Sequence, residues 1–260
     1  MIKRILGAFF FLAFYLTTLF VLDLAIRQKL IMPSYIQLEK QLARKDINRC
    51  TQVIANEASH LAKIAADWAE LDDTYQFIED FNNSYLESNI VMSTLVDVGI
   101  HLIFIISDDG QVVLDRIFDP KEDTQITLKD LSAKLWETDN LLMLSSRDKP
   151  KTVTGVTLTE NGPMFIDAHQ NLTSEGTGPP RGTLILGHFI GAENLAELNN
   201  LAQVNFSIKT ADDPSVSEVE KELLQAAQPG VVFENDQHEE HLHVLTTFND
   251  IHQEPALLIR

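Results

Sequence analysis

Basic residues, cysteines and catalytic signatures are scarce in this chain. Its 260 residues carry 20 Lys and Arg against 38 Asp and Glu, a net charge of −18. Four of the basic residues (Lys3, Arg4, Arg27, Lys29) and one acid (Asp23) fall in the first 30 positions. The remainder therefore carries 16 basic and 37 acidic residues, a balance of −21. Phosphate backbones and anionic lipid need clustered Lys and Arg, so nucleic acid is excluded as a partner and the acidic remainder repels anionic bilayers. The single cysteine, Cys50, excludes an intramolecular disulfide framework and any CxxC redox or metal motif. It leaves an interchain bridge or a buried apolar thiol.

No GxSxG, GxxxxGK[ST], HExxH or GxGxxG is present. Gly176-Thr177-Gly178 precedes a strand pattern, not a helix, so it has no helix N-terminus with which to hold a phosphate. Asp72 and Asp73 are adjacent, and adjacent helical residues do not face one another, so they make no acid/base pair across one bond. His238, Glu239, Glu240, His241 and His243 form the one histidine-rich patch. His241 and His243 would share one face of a strand, which could ligate a metal or simply be a solvated edge; structural zinc needs about four placed ligands. We expect no catalytic residue, no metal and no cofactor. Asn82, Asn171 and Asn205 open N-x-[ST] triplets, which matter only in a secreted eukaryotic protein.

One long apolar run stands against these absences. Residues 5–22 hold no charge, which is just enough for a helix to cross a bilayer. Lys3 and Arg4 precede it, placing the N-terminus in the cytoplasm and the rest outside. Asp23 to Arg27 follows with no A-x-A cleavage pattern, so the run reads as an uncleaved anchor. Residues 1–30 are thus a cytoplasmic tip and transmembrane anchor, and residues 31–260 an extracytoplasmic domain. In a bacterium that places the anchor in the inner membrane and the domain in the periplasm.

Pro33 and Ser34 read as a helix restart. From about 34 to 81 apolar residues recur at steps of three and four with no Gly or Pro between them. This predicts one stalk helix of over 40 residues, long enough to pair with a second copy. Trp68, Asp72 and Tyr75 then share one helix face, with Asp67 and Asp73 beside it. Asn82-Asn83-Ser84 breaks the pattern, and 85–95 reads as a short helix. Residues 102–107 and 111–118 form a hairpin around Asp108-Asp109-Gly110. Further strands are read at 153–158, 163–169, 183–190, 204–209, 242–248 and 256–260. Helices are read at 128–135, 141–144, 192–202 and 217–227. The fold class is α+β: anchor, stalk helix, and an antiparallel sheet with flanking helices.

Two stretches resemble a known family. Asp67-Trp68-Ala69 and Asp72-Asp73-Thr74-Tyr75, followed by Asn82, Tyr85 and Asn89, are similar to the helix signature of the fourth class of CHASE domains, extracellular sensors of bacterial and archaeal signalling proteins. The stretch Leu172-Thr173-Ser174-Glu175-Gly176-Thr177-Gly178-Pro179-Pro180-Arg181-Gly182 and on through Gly187 resembles the second signature. The resemblance spans roughly residues 31–260. It implies a Cache- or PAS-like fold, with a long N-terminal helix on a curved antiparallel sheet, between two membrane helices. It implies a cytoplasmic output such as a cyclic di-GMP cyclase or phosphodiesterase, or a histidine kinase. A small molecule would bind between sheet and overlying helix or loops. Trp68 would stack on it, Asp72 and Arg181 would supply charge, and Tyr75 would donate a hydrogen bond. The chain departs from the pattern at Leu71, at 169–171 and at His188. It also stops at Arg260, where the family runs on into a second membrane helix, so it reads as a fragment or a truncated gene. The function expected is the signal-input domain of a membrane receptor, dimeric through the stalk. A membrane-anchored structural or adaptor protein is the alternative reading, and an extracytoplasmic hydrolase the third.

Overall fold

The computed structural model describes residues 2–120, 124–129, 141–144, 148, 150–176, 178–226, 233–235 and 243–260. A helical rod opens the chain: α1 (Ile2–Ile26), a π-helical turn (Arg27–Ile31) and α2 (Met32–Ala69). Among the described residues this rod is the one helix long and apolar enough to cross a membrane; its most apolar window has mean hydropathy 1.8 and none of it is buried. The rod does not restart at Pro33. Proline has no N–H to give to residue 29, and the wider turn absorbs the loss, with Met32 N–H donating to Arg27 O. Ser34 Oγ–H bonds back to Leu30 O at 2.6 Å instead of capping a new helix.

α2 has two halves. Its first turns are solvated, whereas Ile47, Cys50, Ile54, Ala58, Leu61, Ala65 and Ala69 are buried at steps of three and four. Cys50 is 1% exposed and burial pushes its thiol up to about 11. That position suits an apolar core thiol and withholds it from an interchain bridge.

Two sheets pack on this half, not the single sheet read from sequence. The first has order β2-β1-β5-β4-β3, all antiparallel: β1 (Leu102–Ser107), β2 (Val112–Ile117), β3 (Thr152–Thr159), β4 (Gly162–Asn171), β5 (Gly182–Phe189). Alternation divides its side chains between two cores. Ile103, Ile105, Phe165, Leu184 and Leu186 face α2. Leu102, Phe104, Ile106, Met164, Ile166 and Ile185 fill the opposite face with Leu128, Leu142 and Leu144. β1 is buried at every position because both faces are covered. Gly182 is needed where β5 meets β1: a Cβ there would lie 2.1 Å from Ile106 O.

The second sheet has order β6-β9-β8-β7: β6 (Ile208–Lys209), β7 (Phe233–Asn235), β8 (His243–Asn249), β9 (Pro255–Ile259). Short helices connect and flank the sheets: α3 (Asp72–Asp80), α4 (Asn83–Asn89), α5 (Met92–Asp97), α6 (Ala192–Ala202) and α7 (Glu218–Ala226). The expected helix at 85–95 is split by Ile90 and Val91, and the expected strand at 204–209 shrinks to β6. Residues 141–144 are a turn, not a helix. Most of the expected helix at 128–135 lies outside the described residues, as do His238 and His241 of the histidine patch. β7 was not legible in the sequence.

Candidate functional site

The stretch from Asp67 to Tyr75 is not one helix. α2 ends at Ala69, Leu71 is extended (φ −81°, ψ 133°) and α3 begins at Asp72. Trp68, Asp72 and Tyr75 therefore do not line up on a single helix face. The cause is tertiary. In a continuous helix Ala69 O would accept from Asp73. Here it accepts from Asn171 Nδ2 at 2.8 Å and from Leu172 N–H at 3.2 Å. Two donors from the end of β4 thus replace one helical bond, and Asp72 and Asp73 suit the first turn of a new helix.

Three of the four expected residues still meet, across the loop between β4 and β5. Asp72 Oδ1 accepts from Ser174 N–H and Oδ2 from Ser174 Oγ–H, both at 2.9 Å. These bonds hold the Asp72 carboxyl below its ordinary range, the backbone N–H contributing most. Tyr75 Oη–H donates to Pro179 O at 3.1 Å. Arg181 lies over the Tyr75 ring, its Cζ 4.0 Å from the centroid. It donates to Tyr75 O at 3.1 Å and to Glu79 Oε2 at 2.7 Å. The Arg181–Glu79 pair is solvated and contributes about 0–1 kcal/mol; the ring contact adds a similar amount. Trp68 stands apart, half-buried in the last turn of α2 against the core between helix and sheet. The arrangement is a clasp: α3 grips the loop 172–181 by both ends, and β4 grips the end of α2.

Sequence reasoning missed the polar face of β4. Asp167, His169 and Asn171 are buried at alternate positions beside Phe165, which belongs to the core under α2. Asp167 is fully buried and accepts from Thr152 Oγ1 (2.9 Å) and Thr154 Oγ1 of β3. Burial raises its carboxyl, and the two threonine bonds oppose that only in part. Asp167 Oδ2, both His169 ring nitrogens and Asn171 Oδ1 have no hydrogen-bond partner among the described residues. Glu70 Oε1, just past the end of α2, is 3.6 Å from His169 Nε2. The signal was available: three polar residues two apart, on the same face as Phe165, at the end of a strand that begins apolar. A second polar group sits on β5. His188 lies 3.9 Å from Glu57 of α2, with its ring centroid 5.1 Å from that of His101. An ion pair with Glu57 would raise the His188 imidazole. Burial dominates instead, helped by His101 and His60, and lowers it to about 4. At 3.9 Å no hydrogen bond opposes that. No group of three or more His, Cys, Asp or Glu able to hold a metal occurs among the described residues.

Comparisons with known proteins bear on the family and the fold. The CHASE4 domain family matches residues 53–209, the stretch that runs from mid-α2 through both clasp partners to β6. The methanogenesis regulatory histidine kinase FilI of Methanothrix harundinacea (strain 6Ac) is 23% identical over 175 residues, covering 66% of this chain and 20% of that protein. The chain thus spans about a fifth of this relative's length. Two solved structures share the fold at 12% identity. One is the extracellular domain of vpHK1S-Z8, a protein described as a histidine kinase (TM-score 0.53, covering 86% of this chain and 92% of that one). The other is a domain of a sensory box/GGDEF family protein from Vibrio parahaemolyticus (TM-score 0.50, 84% and 94%). The family match covers more than half of the chain, and the protein belongs to the CHASE4 family of sensor domains.

Proposed function

We propose that this chain is the extracytoplasmic input domain of a membrane receptor, and that α2 carries the signal. Residues 1–30 would be the anchor and residues 31–260 the sensing domain. The observation that carries this reading is the dual use of one helical rod. Its apolar end has the length and composition of a membrane span, and its other end is the spine on which both sheets pack. A stimulus that shifts the sheets against α2 must move or twist the same rod that enters the bilayer. The mechanism is a population shift between two placements of that helix. Asp72, Tyr75 and Arg181 enter as its latch, and Trp68 packs α2 on the core beside it. A ligand that engages Asp72 or Arg181 would exchange for Ser174 or Glu79 and free the loop from α3. The output would be a histidine kinase, as in FilI, or a cyclic di-GMP enzyme, in the part of the receptor beyond this domain.

Two copies would pair through the solvated half of α2. Ile31 at the end of the π-helical turn and Tyr35, Leu38 and Leu42 of α2 are 43–61% exposed and recur at steps of four, three and four, the spacing of a coiled-coil seam. Single cysteines at 35, 38 and 42 in the full chain, oxidised in membranes, should cross-link copies. A cysteine at 37 or 40, off the seam, should not. Cross-linking without that periodicity would sink the paired-stalk reading.

A further inference from the structure

A groove of about 560 Å³ opens where α2 meets both sheets. That volume suits a small metabolite. α2 supplies Thr51, Gln52 and Ala55, and the edge strand β3 supplies Thr154. The far wall is the end of β8 and the turn after it, with Asn249, Asp250 and Gln253. The groove is held open by the docking of that turn on β3. Ile251 N–H donates to Val156 O at 2.9 Å, and the turn sits so close to Gly155 that a Cβ there would lie 2.9 Å from Ile251 Cγ2.

Its charge is one-sided, and several of its fixed polar groups are acceptors. Thr51 Oγ1–H donates to Asn48 O, and Thr154 Oγ1–H donates to Asp167. Both hydroxyls have given away their proton and keep acceptor lone pairs. Asn249 Nδ2 donates to Gln253 O at 2.8 Å, which fixes the amide and leaves Oδ1 as a buried acceptor with no partner among the described residues. Asp250 Oδ1 accepts from the N–H groups of His252 and Glu254, so the turn presents a preorganised carboxylate. Among the described residues no Lys or Arg lines the groove. Thr247 Oγ1, buried and without a partner among the described residues, and the Gln52 and Gln253 amides keep donors of their own, but the one formal charge on the wall is the Asp250 carboxylate, and the whole chain carries −18.

We propose that this groove binds a small primary-amine cation that carries no carboxylate. An ammonium group has three donors and no acceptor, which complements these oxygens, whereas a carboxylate on the same ligand would find no cation. An uncharged polyol would match the hydroxyls but leave the Asp250 charge without a counter-ion. The inference rests on the sensory reading and deepens it, because a ligand here touches α2, β3 and the β8–β9 turn at once. Its occupancy would then bias the placement of α2 directly.

The test is calorimetric titration of the full 260-residue chain, in maltoside micelles and an amine-free phosphate buffer, with ethanolamine, putrescine, glycine and glycerol. Ethanolamine and putrescine should bind; glycine and glycerol should bind at least about tenfold more weakly, the scale of one charge-assisted hydrogen bond. Gln52→Lys, at an exposed helix position that tolerates Lys, places a tethered ammonium in the groove and should weaken amine binding about tenfold or more. Asp250→Asn keeps the turn's acceptor oxygen and should weaken it similarly. Equal binding of glycine or glycerol overturns the ligand class. Amine binding unchanged in Gln52→Lys overturns the site. Absence of amine binding by wild type that still melts cooperatively overturns the proposal outright. None of these results would alter the cross-linking pattern of the α2 seam, so the sensory reading stands or falls separately.

Discussion

Lowering the pH from 7.5 to 5 should cost this domain about 2 kcal/mol at one residue, His188. Its side chain is 18% exposed, and its imidazole is lowered to about 4 by burial first and by His101 and His60 second. The ordinary value, and that of the unfolded chain, is about 6.5. The folded state thus favours the neutral ring. Its contribution is fully present above pH 6.5, declines as pH falls and is wholly lost below about 4. Linkage between values of about 6.5 and 4 gives about 2 kcal/mol lost by pH 5 and about 3 kcal/mol in full. His101, also lowered by burial and 7% exposed, adds in the same direction. The window between pH 7.5 and 5 lies above the titration of ordinary carboxylates, and comparison with a His188 variant separates this ring from Asp167, whose carboxyl burial raises. The assay is urea unfolding of wild type and His188→Gln at pH 7.5, 6 and 5, with an NMR titration of the His188 ring. The wild type should lose stability steeply below pH 6.5, and the variant should lose much less. A His188 ring titrating at or above 6.5 would refute the reasoning, since Glu57, 3.9 Å away, would then outweigh burial.

Two further outcomes follow from the fold. Gly182→Ala places a methyl 2.1 Å from Ile106 O, so it should split the β1–β5 pairing and cost several kcal/mol, on the scale of about 3 or more; an unchanged urea midpoint would show that β5 sits differently. Arg181→Ala removes a solvated ion pair, a part-buried bond to Tyr75 O and a ring contact, so it should cost about 1–2 kcal/mol while raising amide exchange in the flanks of the β4–β5 loop.

The five strands of the first sheet were legible because their apolar runs are bounded by clear turn signals, as at Asp108-Asp109-Gly110. α2 was legible from its three-and-four periodicity, and the family from residues 67–75 and 172–187. The end of α2 was not. No Gly or Pro marks it, and the donors that capture Ala69 O come from Asn171 and Leu172, about a hundred positions away in the chain. The clasp was half legible. Asp72, Tyr75 and Arg181 were picked out, but what they hold is each other and their neighbours Ser174, Pro179 and Glu79. The buried face of β4 escaped notice because a period of two fixes which residues share a face, not which face is covered. The groove escaped too: its walls come from a helix, an edge strand and a turn that only the tertiary fold brings together.

In the proposed mechanism the state of the sheet reaches the membrane through α2. The most direct measurement is the rate of oxidative cross-linking between copies at Leu38→Cys, in membranes, with the clasp intact and with Arg181→Ala and Ser174→Ala together releasing the loop. Both clasp substitutions lie far along the chain from position 38. A severalfold change in rate, with the dimer still formed, is the result predicted. Identical rates in a folded protein would contradict it.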